Sequence, residues 1–173
     1  MTNNAAVTWW QQATPIGDIT VVAGSAGIRA IGFDGRAPDE LIGGAQPKRI
    51  ASIARELDMW FRGDRQQFSV AVDLSTVHAP FARTVLETLH REVPWGETIA
   101  YGELAAIAGR PGAARAVGST MALNPVPFVV PCHRVIAAGN RLGGYGGTND
   151  GHAASLSIKR WLLEHEGVTS VRG

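Results

Sequence analysis

The hydrophobic period changes part-way along the chain, and that change constrains the fold more than any other feature of the sequence. In the first third, runs at residues 7–12, 18–23 and 27–33 alternate apolar and polar side chains, with Pro15-Ile16-Gly17 and Gly24-Ser25-Ala26-Gly27 between them. Period-two runs punctuated by Gly and Pro predict strands of an antiparallel meander. From Pro47 the period lengthens: Ile50, Ile53, Ala54, Leu57 and Phe61 share one face of a helix that Gly63 ends. Residues 67–72 predict one more strand. A sheet with a covering helix is a small α/β unit.

From about Val77 the spacing becomes helical. Phe81, Val85, Leu86 and Leu89 predict a helix that stops before Pro94-Trp95-Gly96. Leu104, Ala105, Ile107 and Ala108 predict a short helix ending at Gly109. Arg110-Pro111-Gly112 then breaks the chain, and residues 113–123 resume as a helix rich in small side chains. Two short helices about a tight turn are a helix-turn-helix candidate, a pattern shared by many αα-hairpins that bind nothing. A last helix holds Leu156, Trp161, Leu162 and Leu163 before His165-Glu166-Gly167. The predicted division is an N-terminal α/β domain over 1–76 and a mainly α C-terminal domain over 77–173.

Charge and cysteine usage narrow the chemistry. The N-terminal part has seven Lys/Arg against eight Asp/Glu, the C-terminal part nine against seven, together with all five histidines. Any contact with nucleic acid therefore depends on a local patch rather than on bulk charge. The single cysteine, Cys132, excludes an internal disulfide and a structural zinc site of the usual four-ligand kind. No stretch approaches the roughly 20 apolar residues that cross a bilayer. Met1-Thr2-Asn3-Asn4 lacks the charged-then-apolar start of a secretory signal, so a cytoplasmic chain with no membrane association is expected.

A lone cysteine is often a small buried hydrophobe. Here His133 and Arg134 follow Cys132 directly, after Pro131. The thiolate is the nucleophile, so a reactive cysteine needs a base or a positive charge beside it. Neighbours on a strand point to opposite faces, so a turn is needed at 132–133 to put sulfur and imidazole on one side. A carboxylate to orient the imidazole would complete the arrangement, and Glu166 is one candidate. Cys-His without a histidine at i+3 or i+4 does not make a metal site. The glycine-rich run Gly143-Gly144-Tyr145-Gly146-Gly147 lacks the Gly-Lys-Ser/Thr ending of a phosphate loop. No metal and no cofactor is expected.

Pro131-Cys132-His133-Arg134-Val135, preceded by Asn124-Pro125-Val126-Pro127, resembles the active-site signature of the O6-alkylguanine-DNA alkyltransferases. The likeness extends through Pro94-Trp95-Gly96-Glu97-Thr98, Tyr101-Gly102-Glu103-Leu104-Ala105, Ala113-Ala114-Arg115-Ala116-Val117-Gly118, Gly144-Tyr145-Gly146-Gly147 and Trp161 to Glu166. It is close over the C-terminal half and only general before it. The resemblance implies a ribonuclease H-like N-terminal domain of structural role and a winged-helix-like C-terminal domain. It implies irreversible transfer of an alkyl group from O6-alkylguanine in double-stranded DNA to Cys132, once per molecule, with O4-methylthymine as a second candidate substrate. By the same resemblance His133 is the base acting through a water, Glu166 orients it, and Asn124 braces the cysteine turn. Tyr101 contacts the phosphate of the flipped nucleotide and meets the leaving guanine at N3. Arg115 fills the vacated place in the duplex. The minor-groove helix presents Ala113, Ala114, Ala116, Gly118 and Ser119, and the base pocket is formed by Tyr145, Val135, Gly146 and Pro127. The expected partner is duplex DNA carrying alkylated guanine, with no obligate protein partner and a monomeric state.

Two departures bear on the pocket. Residues 148–154 form a longer or more polar segment than the resemblance leads one to expect, and Gly146 stands where some members have serine. Three other readings compete. A lesion-binding relative without repair lacks the reactive cysteine that this chain has. A fused transcription regulator requires a cysteine-rich zinc domain, and a cysteine hydrolase has no supporting acyl-transfer context.

Overall fold

The computed structural model describes residues 7–33, 46–145 and 152–172. Contacts divide the chain into two compact units, Met1–Thr76 and Val77–Gly173. It is a mixed α/β fold, with a small, mostly antiparallel sheet in the first unit and helices dominating the second.

In the first unit β1 (Thr8–Gln12), β2 (Ile19–Gly24) and β3 (Gly27–Phe33) pair antiparallel, and β4 (Gln46–Pro47) joins β1 in parallel, giving the order β3-β2-β1-β4. The central strand β2 is buried from Ile19 to Ala23 on both faces. The helix α1 (Ala51–Phe61) buries Ile53, Ala54, Leu57, Trp60 and Phe61, one stripe at helical spacing. Gln12 fixes it to β1, its amide donating to Ala54 O at 3.1 Å and to Asp58 Oδ1 at 2.6 Å.

The strand predicted over 67–72 is not formed; what remains is a single parallel bridge between Ile28 and Val72. The cause is a competing acceptor. Glu56 on α1 takes the backbone N–H groups of Ser69, at 2.8 Å, and Val70, at 3.3 Å, as well as the Ser69 hydroxyl. Donors that a ladder would use are tied to a side chain, and the segment leaves the sheet.

In the second unit α2 (Pro80–Glu92) starts on a proline that has no N–H to lose there, and buries Val85, Leu86, Thr88 and Leu89. The strand β5 (Ile99–Ala100) runs directly into α3 (Tyr101–Ile107), where Glu103 accepts the Ala100 N–H at 2.9 Å. α3 ends in a Schellman pair, Gly109 N–H to Ala106 O and Arg110 N–H to Ala105 O. Pro111 and Gly112 (φ 85°) then occupy the corners of a type II turn closed by Ala113 N–H to Arg110 O at 3.1 Å. The Arg110 guanidinium sits over the Phe81 ring, 4.7 Å from its centroid, holding this turn against α2. α4 (Ala114–Ala122) follows, burying Val117, Thr120 and Met121 and exposing Arg115, Ala116 and Ser119. Its first residue is one later than the predicted 113, since Ala113 is the N-cap.

After α4, residues 124–131 lead into a short 3₁₀ turn, Cys132–Arg134, and then β6 (Val135–Ile136), which pairs in parallel with β5. α5 (His152–His165) closes the unit. Among the described residues, no helix is long and apolar enough to cross a membrane.

Candidate active site around Cys132

Cys132 opens the 3₁₀ turn and is buried, with 2% of its surface exposed. The tight turn places Cys132, His133 and Arg134 in one buried cluster, which an extended backbone would not do. The imidazole of His133 turns to Glu166: Nε2 and Oε1 are 2.8 Å apart, both side chains fully buried. A carboxylate only accepts, so the ring N–H is on Nε2 and the basic lone pair is on Nδ1.

Arg134 grips the other side of the same carboxylate. Its Nε donates to Oε2 at 2.9 Å and Nη2 to Oε1 at 2.8 Å, while Nη1 donates to Val93 O at 2.6 Å. Glu166 is delivered by the end of α5, where Gly167 (φ 81°) and Val168 donate to Glu164 O and Leu163 O in a second Schellman pair. Burial alone would raise the Glu166 carboxyl, but His133 and Arg134 outweigh it and hold the group at about 2. Burial pushes the His133 imidazole below its ordinary value despite Glu166, with Arg134 and Lys159 adding to the depression. The resting pair is a neutral imidazole and a carboxylate.

Burial also pushes the Cys132 thiol up. Four groups oppose it: the side chains of Asn124 and Tyr145, the charge of Lys159 and the backbone N–H of Phe128. Asn124 holds the loop as well, donating from Nδ2 to Val130 O at 2.8 Å and accepting the Val126 N–H at 3.1 Å. Tyr145 brings its hydroxyl to the sulfur, and burial together with the Cys132 charge raises its own ionisation well above the ordinary value.

Lys159, and the grip of Arg134 on Glu166, are parts of this cluster that the sequence reading does not contain. Lys159 is fully buried, its Nζ donating to Val135 O at 2.7 Å and Gly144 O at 3.0 Å. The signal was available: Lys159 falls on the buried stripe of α5 between Ser155 and Leu162 and Leu163, where a lysine is out of place. Burial lowers its ammonium to about 8, with the Cys132 charge pulling the other way. A lysine lowered on folding costs stability while charged, because the unfolded chain binds the proton more tightly. The Lys159 contribution to stability should therefore rise by about 1 kcal/mol between about pH 8 and 9, against an opposing fall from the raised Cys132 thiol. Urea titrations across that window in the Cys132→Ala background should show the rise, and adding Lys159→Met should remove it.

The remaining expected residues fall in two groups. Tyr101, Val135 and Pro127 adjoin the cluster. Tyr101 Oη donates to Gly144 O at 3.3 Å, its ring lies 5.9 Å from Lys159 Nζ, and burial and the Cys132 charge raise its hydroxyl. Val135 and Pro127 are buried. Arg115, Ala116 and Ser119 are exposed on α4, Ala113, Ala114 and Gly118 half-buried. A Cβ on Gly118 would stand 4.0 Å from Tyr101 Cε1, so α4 passes close to the Tyr101 ring. Gly146 and the segment 148–151 lie outside the described residues, as do the side chains of 152–154.

A buried thiol with its own donors, backed by an imidazole–carboxylate–guanidinium chain, is an arrangement able to support chemistry at sulfur. Residues 80–168 match the family model described as the DNA-binding domain of 6-O-methylguanine DNA methyltransferase. A methylated-DNA–protein-cysteine methyltransferase of Cricetulus griseus is 34% identical over 174 residues, covering 90% of this chain and 79% of that one. The protein of the same name from Methanosarcina acetivorans is 37% identical, with 89% and 94% covered. The structure of Mycobacterium tuberculosis OGT in complex with DNA superposes with a TM-score of 0.79 at 32% identity, over 96% of each chain. The chain belongs to the methylated-DNA–protein-cysteine methyltransferase family.

Proposed function

We propose that the protein repairs DNA by moving the alkyl group of O6-alkylguanine irreversibly onto Sγ of Cys132. The observation that carries this reading is the buried Cys132 thiol, met by Asn124, Tyr145 and Lys159, beside a neutral His133 tied to Glu166. A raised thiol is protonated at rest, so a proton acceptor is required, and His133 Nδ1 is the basic atom. The thiol proton passes to His133 through a water, and the imidazolium that forms is stabilised by Glu166. Sulfur attacks the alkyl carbon, the carbon–O6 bond breaks, and guanine leaves with the electron pair. The Tyr101 hydroxyl meets the developing charge at N3. The product is a thioether, and the described residues offer no second nucleophile beside it. Each molecule acts once.

A base in the stack is out of reach of a buried sulfur, so the nucleotide must leave the duplex. The type II turn between α3 and α4 supports reading this pair as a helix-turn-helix in a winged-helix-like unit. The small exposed side chains of α4 suit a minor groove about 6 Å wide. Arg115 is the exposed long side chain on that face and fills the gap left by the flipped base. Tyr145, Val135, Pro127 and Gly146 form the base pocket in this reading. The first unit, ribonuclease H-like, is structural. The related Mycobacterium tuberculosis protein solved with DNA supports DNA as the partner. A cytoplasmic monomer needing no cofactor completes the reading, with O4-methylthymine as a second substrate.

The test is stoichiometry combined with Arg115→Ala. With excess methylated duplex, repaired guanine should plateau at one per protein molecule. Arg115→Ala should slow repair in duplex at least tenfold while leaving reaction with free O6-methylguanine within about twofold. Repeated turnover would contradict the single-use mechanism, and equal losses on both substrates would contradict the flipping role.

A further inference from the structure

The loop before Cys132 has an unusual hydrogen-bond economy. Pro125, Pro127 and Pro131 contribute no N–H. Of the remaining donors, Val126 gives to Asn124 Oδ1 at 3.1 Å, Val129 to Pro127 O at 2.8 Å, Val130 to Val126 O at 2.9 Å and Cys132 to Val130 O at 2.8 Å. The N–H of Phe128 goes to the Cys132 sulfur. Two three-residue turns produce this. Pro131 (φ −81°, ψ 64°) is the centre of an inverse γ-turn closed by Cys132 N–H to Val130 O. Phe128, at φ 54°, is the centre of the mirror type, closed by Val129 N–H to Pro127 O.

That second turn is the rare, strained form, and a bulky residue is an unfavourable choice for it. Glycine or asparagine would adopt the left-handed conformation more easily. The ring of Phe128 is 1% exposed and is among the largest fully buried side chains of the chain. Packing of that ring over-determines a backbone conformation that the residue would not adopt by itself.

We propose that Phe128 is a positioning residue for alkyl transfer: its buried ring locks the γ-turn that aims the 128 N–H at Cys132 Sγ. With Asn124 and Tyr145 this makes three donors around one sulfur, a counterpart for a thiolate of the donor cradles that hold an oxyanion. Each donor favours the charged form over the neutral thiol. The three together also restrict where sulfur sits as it meets the alkyl carbon. The inference deepens the alkyl-transfer reading and rests on it for its purpose, though the hydrogen bond can be tested without DNA.

Two measurements decide it. In the DNA-free wild type, the Phe128 amide proton followed by NMR should move downfield as Cys132 ionises, and not in Cys132→Ala. The amides of Val129 and Val130, bound to carbonyls, serve as internal controls. A Phe128 amide that moves no more than these overturns the proposal. Second, an ester in place of the Pro127–Phe128 amide, with phenyllactic acid at position 128, deletes the donor and keeps the ring. It should raise the thiol midpoint by about one pH unit. The midpoint is read by thiolate ultraviolet absorbance, which the single cysteine assigns unambiguously once tyrosine ionisation is followed separately. Phe128→Gly keeps the donor, tolerates positive φ and loses the ring. Without the ring the turn is no longer locked on the sulfur, so the variant's midpoint should also rise, part of the way to that of the ester. An unmoved ester, or a glycine variant whose midpoint matches the wild type, contradicts the proposal. Failure of the wild type to take an alkyl group from DNA would overturn the function and leave these two results standing on their own.

Discussion

Glu166→Ala should destabilise the protein by about 4 kcal/mol and disable alkyl transfer, the largest combined effect expected of any single substitution here. The carboxylate holds two fully or nearly buried partners at once, His133 at 2.8 Å and Arg134 through two hydrogen bonds. Removing it leaves the guanidinium charged, because arginine does not deprotonate, with its side chain only 8% exposed. That loss is a large share of the roughly 5–15 kcal/mol by which domains are stable. Glu166→Gln separates the two effects. It retains an acceptor and costs less stability, yet removes the charge that stabilises the imidazolium, so transfer should slow by roughly 10²–10⁴-fold. Urea denaturation gives the first quantity and single-turnover transfer the second.

The same carboxylate governs the acid limb of stability. Its folded value of about 2 lies below the ordinary 4.5, so its contribution is fully present above pH 4.5 and is lost as pH falls toward 2. The contribution is about 3 kcal/mol. Glu166→Gln should lose that part of the acid dependence. An unchanged acid limb would mean that the ion pair is not formed in solution.

Cys132→Ala should abolish transfer while leaving stability within about 1 kcal/mol and binding of methylated duplex intact. The cysteine is a small buried side chain, so its truncation removes one sulfur from the packing. The elements assigned to DNA, Arg115 and α4, do not depend on the sulfur. The variant would bind lesions without repairing them, measurable as an affinity for methylated over unmethylated duplex. Loss of all DNA binding would show that Cys132 has a structural role greater than its size implies.

Periodicity sufficed for the elements whose apolar pattern is decided by packing on one side. The antiparallel strands β1, β2 and β3 and the helices α1, α2 and α3 lie within a residue or a few of where their spacing put them, whereas the two-residue β4 has no periodic signal. It failed at residues 67–72, where alternation predicted a strand and a carboxylate on α1 took the backbone donors. The pattern of one segment does not reveal a side-chain acceptor offered by another. In the site, the Cys132–His133 pair is legible from adjacency and thiol chemistry, whereas the choice of Glu166 rests on a resemblance over ordered blocks, since proximity of Glu166 to residue 133 is a tertiary fact. Lys159 is legible as a charge on an apolar helical stripe. Arg134 belongs to the motif, but its grip on Glu166 has no one-dimensional signature. Nor has the turn at Phe128: three prolines in seven residues signal an irregular loop, not which N–H faces sulfur.

The most direct test of the account is the intact mass of the protein after incubation with duplex DNA containing O6-methylguanine. The account predicts a stoichiometric gain of one methylene, about 14 Da, located at Cys132 by peptide mapping and absent from Cys132→Ala. An unchanged mass in protein that still binds the methylated duplex, or a gain at any other residue, would contradict it.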